Sequence, residues 1–113
     1  MRNDDLIRLR HILDAAIEAQ GFVCGRTREE LEDDRQLTWA LVKAIEIIGE
    51  AAGQLSEEAK AEIPNIPWRN IIGMRHRLVH AYFDINLDIL WRTVIDGVPT
   101  LSATIKQVLA REA

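Results

Sequence analysis

Arg75, His76, Arg77, His80 and Tyr82 fall within eight consecutive residues and are the side chains here best suited to chemistry on a charged ester. A guanidinium stays charged and clamps a phosphate through two parallel hydrogen bonds, while an imidazole gains and loses a proton near neutral pH. Together they suffice for metal-independent RNA cleavage. The imidazole deprotonates a ribose 2′-hydroxyl or protonates the leaving oxygen, and the guanidinium stabilises the charge building on phosphorus. The stretch lies in an acid-free window, Ile63 to Phe83, that contains Arg69, Arg75 and Arg77. The chain as a whole has 18 acidic against 14 basic residues, so this window reads as a focused anion-binding surface on an acidic scaffold.

Spacing constrains how these groups can cooperate. Arg75 and His80 are five residues apart, which on an ideal helix separates them by ~140°. Tyr82 returns to within ~20° of Arg75 by the same count. His76 and His80, four apart, would share a helical face, with Arg77 close by. Two arrangements can aim Arg75 and His80 at one phosphate: the helix loosens near its end, or a symmetric dimer collects both side chains in a groove between protomers.

Plainer readings of the same residues stand beside these. His80 can be a hydrogen-bonded histidine of the bundle with the arginines in solvent, and Tyr82 an aromatic packed at a helix end. A zinc site on His76 and His80 lacks a third ligand, since His11 and Cys24 lie in other segments. Arg77 also stands where a metalloprotease motif needs glutamate. No metal and no cofactor is therefore expected. Glu46 and Glu50 share a face of an earlier helix and read as solvated, with Glu50 a candidate to orient Arg75. Trp39, Trp68 and Trp91 sit on different segments and read as core or interface anchors rather than a base-stacking platform.

The elements that must position these residues are helical. Asn3, followed by Asp4 and Asp5, reads as a helix start, with Leu6, Leu9, Leu13, Ala16, Ile17 and Gln20 on the inward face. Thr27 and Glu30 match a capping box, and the acids from Glu29 to Asp34 read as a solvated first turn. Thr38, Leu41, Ile45, Ile48, Ala52 and Leu55 step by alternating threes and fours, a bundle seam widened by Leu37, Ala44 and Ala51. Gly49 beside Ala51 and Ala52 invites close approach of another helix. Ser56 caps a short helix ending before Pro64, and Pro67 suits the first position of the next helix. That helix is expected from Trp68 to Tyr82, with Ile71, Ile72, Met74, Leu78 and Val79 inward. Asp84 or Asn86 caps a last helix, which Pro99 kinks or restarts near Gly97. No segment alternates long enough to predict a strand. The fold expected is all-α, an up-and-down four-helix bundle with a short extra helix, in a single domain over residues 1–113.

Composition narrows the class further. With 48% apolar and 28% charged residues, the chain resembles a soluble globular protein and not a disordered one. Its single cysteine, Cys24, excludes an internal disulfide and suits a reducing compartment. No apolar run is long enough to span a bilayer, and the start of the sequence is acidic where a signal peptide is basic then apolar. A cytoplasmic protein without membrane contact is expected.

The wider pattern resembles a known family. Arg75-x4-His80-x-Tyr82 is similar to the signature of HEPN domains, specifically the HepT-type toxins of prokaryotic HepT/MntA modules. Ile48-Gly49-Glu50-Ala51-Ala52, Ile66-Pro67-Trp68, Ile71-Ile72-Gly73-Met74-Arg75, His80-Ala81-Tyr82-Phe83 and Trp91 fall in that family's order. The resemblance covers roughly residues 4 to 109. It implies a helical bundle that dimerises, with Arg and His of both protomers lining a shared cleft. It also implies the toxin of a type VII-like toxin–antitoxin module, a metal-independent endoribonuclease that arrests growth when unopposed. Arg75 would bind phosphate, His80 would serve as acid and base, and a cognate nucleotidyltransferase antitoxin would attach AMP to Tyr82. One departure is His76, where the family often carries a small polar residue: it adds a second titratable group or changes which histidine works. The competing class is a non-catalytic, substrate-binding partner of a small nucleotidyltransferase. A plain dimerisation bundle would leave the acid-free window unexplained.

Overall fold

A computed structural model describes residues 1–81 and 84–112, with backbone alone for residues 80 and 81. The first rod is α1 (Asn3–Val23), joined through the turn at Cys24 and Gly25 to a short α2 (Glu30–Asp33). Gly25 adopts φ +74°, the left-handed conformation that side-chain-bearing residues avoid, and this lets the chain reverse. The second rod is α3 (Arg35–Gly53), followed by a short α4 (Glu57–Glu62) and then α5 (Trp68–Leu78). A hairpin of β1 (Val79–Ala81) and β2 (Asp84–Ile85) follows, then α6 (Leu87–Arg92), a π-helical turn (Thr93–Gly97) and α7 (Val98–Glu112). The architecture is an all-α bundle of four rods, α1, α3, α5 and α6–α7, with α1 packed chiefly on α3 and α7, and α3 on α5.

The α3 seam packs as its spacing predicts. Leu37, Thr38, Leu41, Ala44, Ile45, Ile48, Ala51, Ala52 and Leu55 are all buried. In α1 the inward stripe is instead Asp5, Leu9, Ile12, Ala15, Ala16, Ala19 and Val23, while Ile17 is exposed and Leu6, Leu13 and Gln20 are half-buried. The reason is that α1 lies between two partners, so small alanines face the close approach and a broad apolar surface leaves some large residues outside. Fully buried Leu9, Ile12, Leu41, Leu78, Leu90 and Ile105 each contribute about 1.5–3 kcal/mol of apolar transfer.

Several helix ends follow local side-chain chemistry. Ser56 Oγ accepts from the Ala59 amide at 3.0 Å, and Asn86 Oδ1 accepts from the Ile89 amide at 3.0 Å. Others differ from expectation. Asn3 is the first helical residue of α1 and caps nothing, because Arg2 occupies the cap position. Thr27 does not cap a helix either: Asp34 does, accepting from the Leu37 amide at 3.0 Å at the start of α3. Three acids of this region, Glu30, Glu32 and Asp34, are paired rather than merely solvated. Arg26 binds Glu30 and Asp34, and Arg28 bridges Glu32 and Asp88. Pro67 precedes α5 as its cap residue rather than entering it. Pro99 lies in the first turn of α7, and the wide π turn before it absorbs the crowding its ring imposes on the preceding turn.

The main correction to the expected layout is the end of α5. The helix stops at Leu78, four residues short of Tyr82, and the chain becomes extended at Val79, with φ −120° and ψ 105°. Val79 pairs with Ile85 and Ala81 with Asp84, while the Asn86 amide donates to Leu78 O at 2.8 Å. The β-branched Val79 and Ile85 favour this pairing, and the capped start of α6 holds the returning strand in place. Ile72 is exposed rather than inward, whereas Leu78 and Val79 are buried.

Candidate active site

The last turn of α5 carries Arg75, His76 and Arg77, all exposed. Leu78, Ile71 and Met74 face the bundle, so the three polar residues fan across the opposite side of the helix. Arg69 and Asn70 are exposed one helical repeat earlier. Arg77 folds back along the helix, its Nη2 donating to Asn70 O at 2.9 Å. Arg75 turns toward α3, its Nε donating to Glu46 Oε1 at 3.0 Å. The other oxygen of Glu46 lies 4.0 Å from Lys43 Nζ.

That partner is Glu46, not the predicted Glu50, which is exposed further along α3. The close approach at Gly49 explains the choice. A Cβ on Gly49 would lie 3.3 Å from Ile71 O and 3.5 Å from Ile72 O, so the backbone of α5 rests on this glycine. The two helices run antiparallel there. Moving from Ile72 to Arg75 along α5 therefore matches moving back from Gly49 to Glu46 along α3, a shift of ~4.5 Å in each. Glu50 lies on the far side of the crossing.

The end of α5 also redraws the expected relation among the site residues. His76 and His80 do not share a helical face, because the helix ends between them and His80 belongs to β1. The ~140° separation of Arg75 and His80 on an ideal helix likewise does not apply, since only three residues after Arg75 keep helical geometry. The helix thus loosens before it reaches His80. The His80 side chain and the whole of Tyr82 lie outside the described residues, and so does the expected return of Tyr82 to the face of Arg75. His11 and Cys24 are exposed on α1 and just after it, away from this cluster. Among the described residues, no group of three His, Cys, Asp or Glu is placed to hold a metal ion, and no helix is long and apolar enough to cross a membrane.

The tryptophans are anchors. Trp68 is buried, its Nε1 donating to Lys60 O and Ile63 O at 3.1 Å each, which fixes the start of α5 against the end of α4. Trp39 and Trp91 are half-buried against the core. The residue that sequence reasoning undervalued is Glu46. The available signal was the Gly49 crossing point, from which a carboxylate three residues earlier faces an antiparallel neighbour.

Comparison with known proteins agrees with this fold. The family model described as "Ribonuclease HepT-like" matches residues 12–108. The chain is 38% identical over 104 residues to "Putative RNase TTE0752" of Caldanaerobacter subterraneus subsp. tengcongensis, covering 92% of this chain and 93% of that one. It is 31% identical over 100 residues to "Putative RNase MJ1380" of Methanocaldococcus jannaschii, covering 88% and 92%. With "Probable ribonuclease HepT" of Thermococcus cleftensis it shares 36% identity over 80 residues, covering 71% and 73%. No solved structure matches the chain at a significant level. A family match over residues 12–108, with relatives aligned along nearly the whole chain, places this protein in the HepT-like ribonuclease family.

Proposed function

We propose that this chain is a metal-independent endoribonuclease and the toxin of a HepT/MntA-type toxin–antitoxin module. The observation that carries the reading is Arg75: an exposed guanidinium, held from one side at the frayed end of α5, within a family whose named relatives are ribonucleases. Arg75 grips the scissile phosphate, and His80 moves the proton. In the first half of the reaction the ribose 2′-oxygen attacks phosphorus as His80 takes its proton. The bond from phosphorus to the 5′-oxygen breaks as a second imidazole, His80 of the partner protomer, protonates the leaving oxygen. The products are a 2′,3′-cyclic phosphate and a free 5′-hydroxyl. Arg75 stabilises the negative charge on the non-bridging oxygens at the crowded phosphorus.

The partners in this reading are RNA, a second copy of the chain, and an MntA-type nucleotidyltransferase antitoxin in the same cytoplasm. AMP on Tyr82 adds bulk and negative charge two residues from His80, excluding RNA by sterics and repulsion. Supporting roles fall to His76 and Arg77, which extend the positive surface beside Arg75.

The test is RNA cleavage by purified protein in EDTA, comparing wild type with Arg75→Ala and His80→Ala. The expected result is cleavage by wild type and a loss of about 10²-fold or more in each variant, with unchanged circular dichroism. Equal activity in all three proteins would reject the catalytic assignment and favour the alternative, a substrate-binding subunit of a nucleotidyltransferase.

A further inference from the structure

Glu46 contacts the one guanidinium on which the proposed reaction depends, and it does so through a particular atom. Its Oε1 accepts from Arg75 Nε at 3.0 Å, and among the described residues no other acceptor engages that guanidinium. Nε–H points sideways from the arginine stem, while the two terminal nitrogens form the outer fork that matches a phosphate. A carboxylate bound at Nε therefore fixes the rotation of the guanidinium plane and leaves the fork open. Glu46 itself is held from two directions. It projects from the packed helix α3, one turn before the Gly49 crossing, and Lys43 Nζ lies 4.0 Å from its second oxygen. Lys43 also offsets part of the negative charge that Glu46 brings near an anion site.

We propose that Glu46 is the positioning residue for Arg75, setting the guanidinium fork toward the scissile phosphate, with Lys43 tempering its charge. This rests on the reading of Arg75 as the phosphate-binding group. Two effects of removing the carboxylate pull in opposite directions. Loss of a negative charge strengthens RNA binding, since an anion near a phosphate site repels substrate. Loss of the Nε contact frees the arginine to swing, and misplacement of about an ångström costs up to ~10²-fold in rate.

The experiment measures kcat and KM for a short single-stranded RNA with wild type, Arg75→Ala, Glu46→Ala and Glu46→Gln. The expected result for Glu46→Ala is a kcat lowered about ten- to a hundredfold with KM unchanged or reduced. Glu46→Gln keeps an amide oxygen that accepts from Nε–H, so it retains most of kcat while sharing the lower KM. A carboxylate acting only as a nearby charge would lower KM in both variants and leave both kcat values at wild type, which overturns the proposal. The underlying reading fails separately: Arg75→Ala at wild-type kcat removes Arg75 from the reaction and Glu46 with it. Arg75→Ala inactive beside a fully active Glu46→Ala overturns the positioning role alone. Matching thermal melts guard the comparison, and Glu46→Gln keeps it decisive should Glu46→Ala unfold.

Discussion

An arginine that binds phosphate must be both free at its fork and constrained along its stem. Arg75 meets both conditions, and its neighbours in sequence do not. Arg77 donates a terminal nitrogen to the Asn70 carbonyl, so part of its fork is occupied within its own helix. His76 is exposed on the last turn of α5, and in the proposed function it meets the RNA backbone as a surface group. At this scale the two histidines are separable. His76→Ala is expected to keep kcat within about threefold of wild type while weakening RNA binding, whereas His80→Ala loses about 10²-fold or more in kcat. A pH–rate profile on each variant checks the assignment: a profile that loses its near-neutral inflection with His76→Ala instead would move the proton-transfer role to His76.

At the scale of elements, the site depends on helices being pinned to one another at their ends. One such pin is Asp5, buried in the first turn of α1. Its Oδ1 accepts from the Ser56 amide at 2.9 Å and its Oδ2 from the Ser56 hydroxyl at 2.7 Å, while that hydroxyl caps α4. The Ser56 backbone amide is the main reason the Asp5 carboxyl titrates below its ordinary value of 3.8, and the Ser56 hydroxyl and Arg2 add to it against the opposing effect of burial. A carboxyl whose folded pKa lies below its unfolded one stabilises the fold above the unfolded value. That contribution disappears as pH falls through the folded value. Asp5→Asn, which leaves the Ser56 donors partly unpaired, is expected to cost about 1–3 kcal/mol near neutral pH. In urea melts at a series of pH values, the gap between wild type and Asp5→Asn should narrow on acidification below the ordinary value of 3.8. A constant gap at every pH would show that the ionised carboxylate is not what holds the two helices.

At the scale of the whole molecule, an acidic chain with a net charge of −4 carries an acid-free segment that includes all of α5. In the proposed function, repulsion elsewhere on the surface confines RNA to that segment. The proposed function pairs two such segments across a two-fold axis, so that the two His80 imidazoles flank one phosphate. Mixing supplies the check. A dimer of one wild-type and one His80→Ala subunit keeps a single imidazole, so random exchange at equal amounts should leave about half the activity of the same wild-type protein unmixed. No loss, with subunit exchange verified by differently sized tags, would mean that Arg75 and His80 act within one protomer.

Sequence alone settled much of what depends on near neighbours in the chain, although the caps expected at Asn3 and Thr27 do not form. The α3 seam from Thr38 to Leu55, the cap at Ser56, Asn86 as one of two candidate caps, and the role of Gly49 as a contact point were all legible. Helical periodicity and capping act over three or four residues and need no partner. The candidate site was legible as a cluster of residue types for the same reason. Tertiary structure decided three things: which face of α1 turns inward, where α5 ends, and which glutamate meets Arg75. In α1 every candidate stripe is apolar enough to bury, and only the positions of α3 and α7 select one. At Val79 the helix yields because pairing with Ile85 and the start of α6 require the chain to turn back. Glu46 and Glu50 differ by only ~40° around α3, so their own helix barely distinguishes them. The antiparallel crossing at Gly49 does, by placing Arg75 beside Glu46.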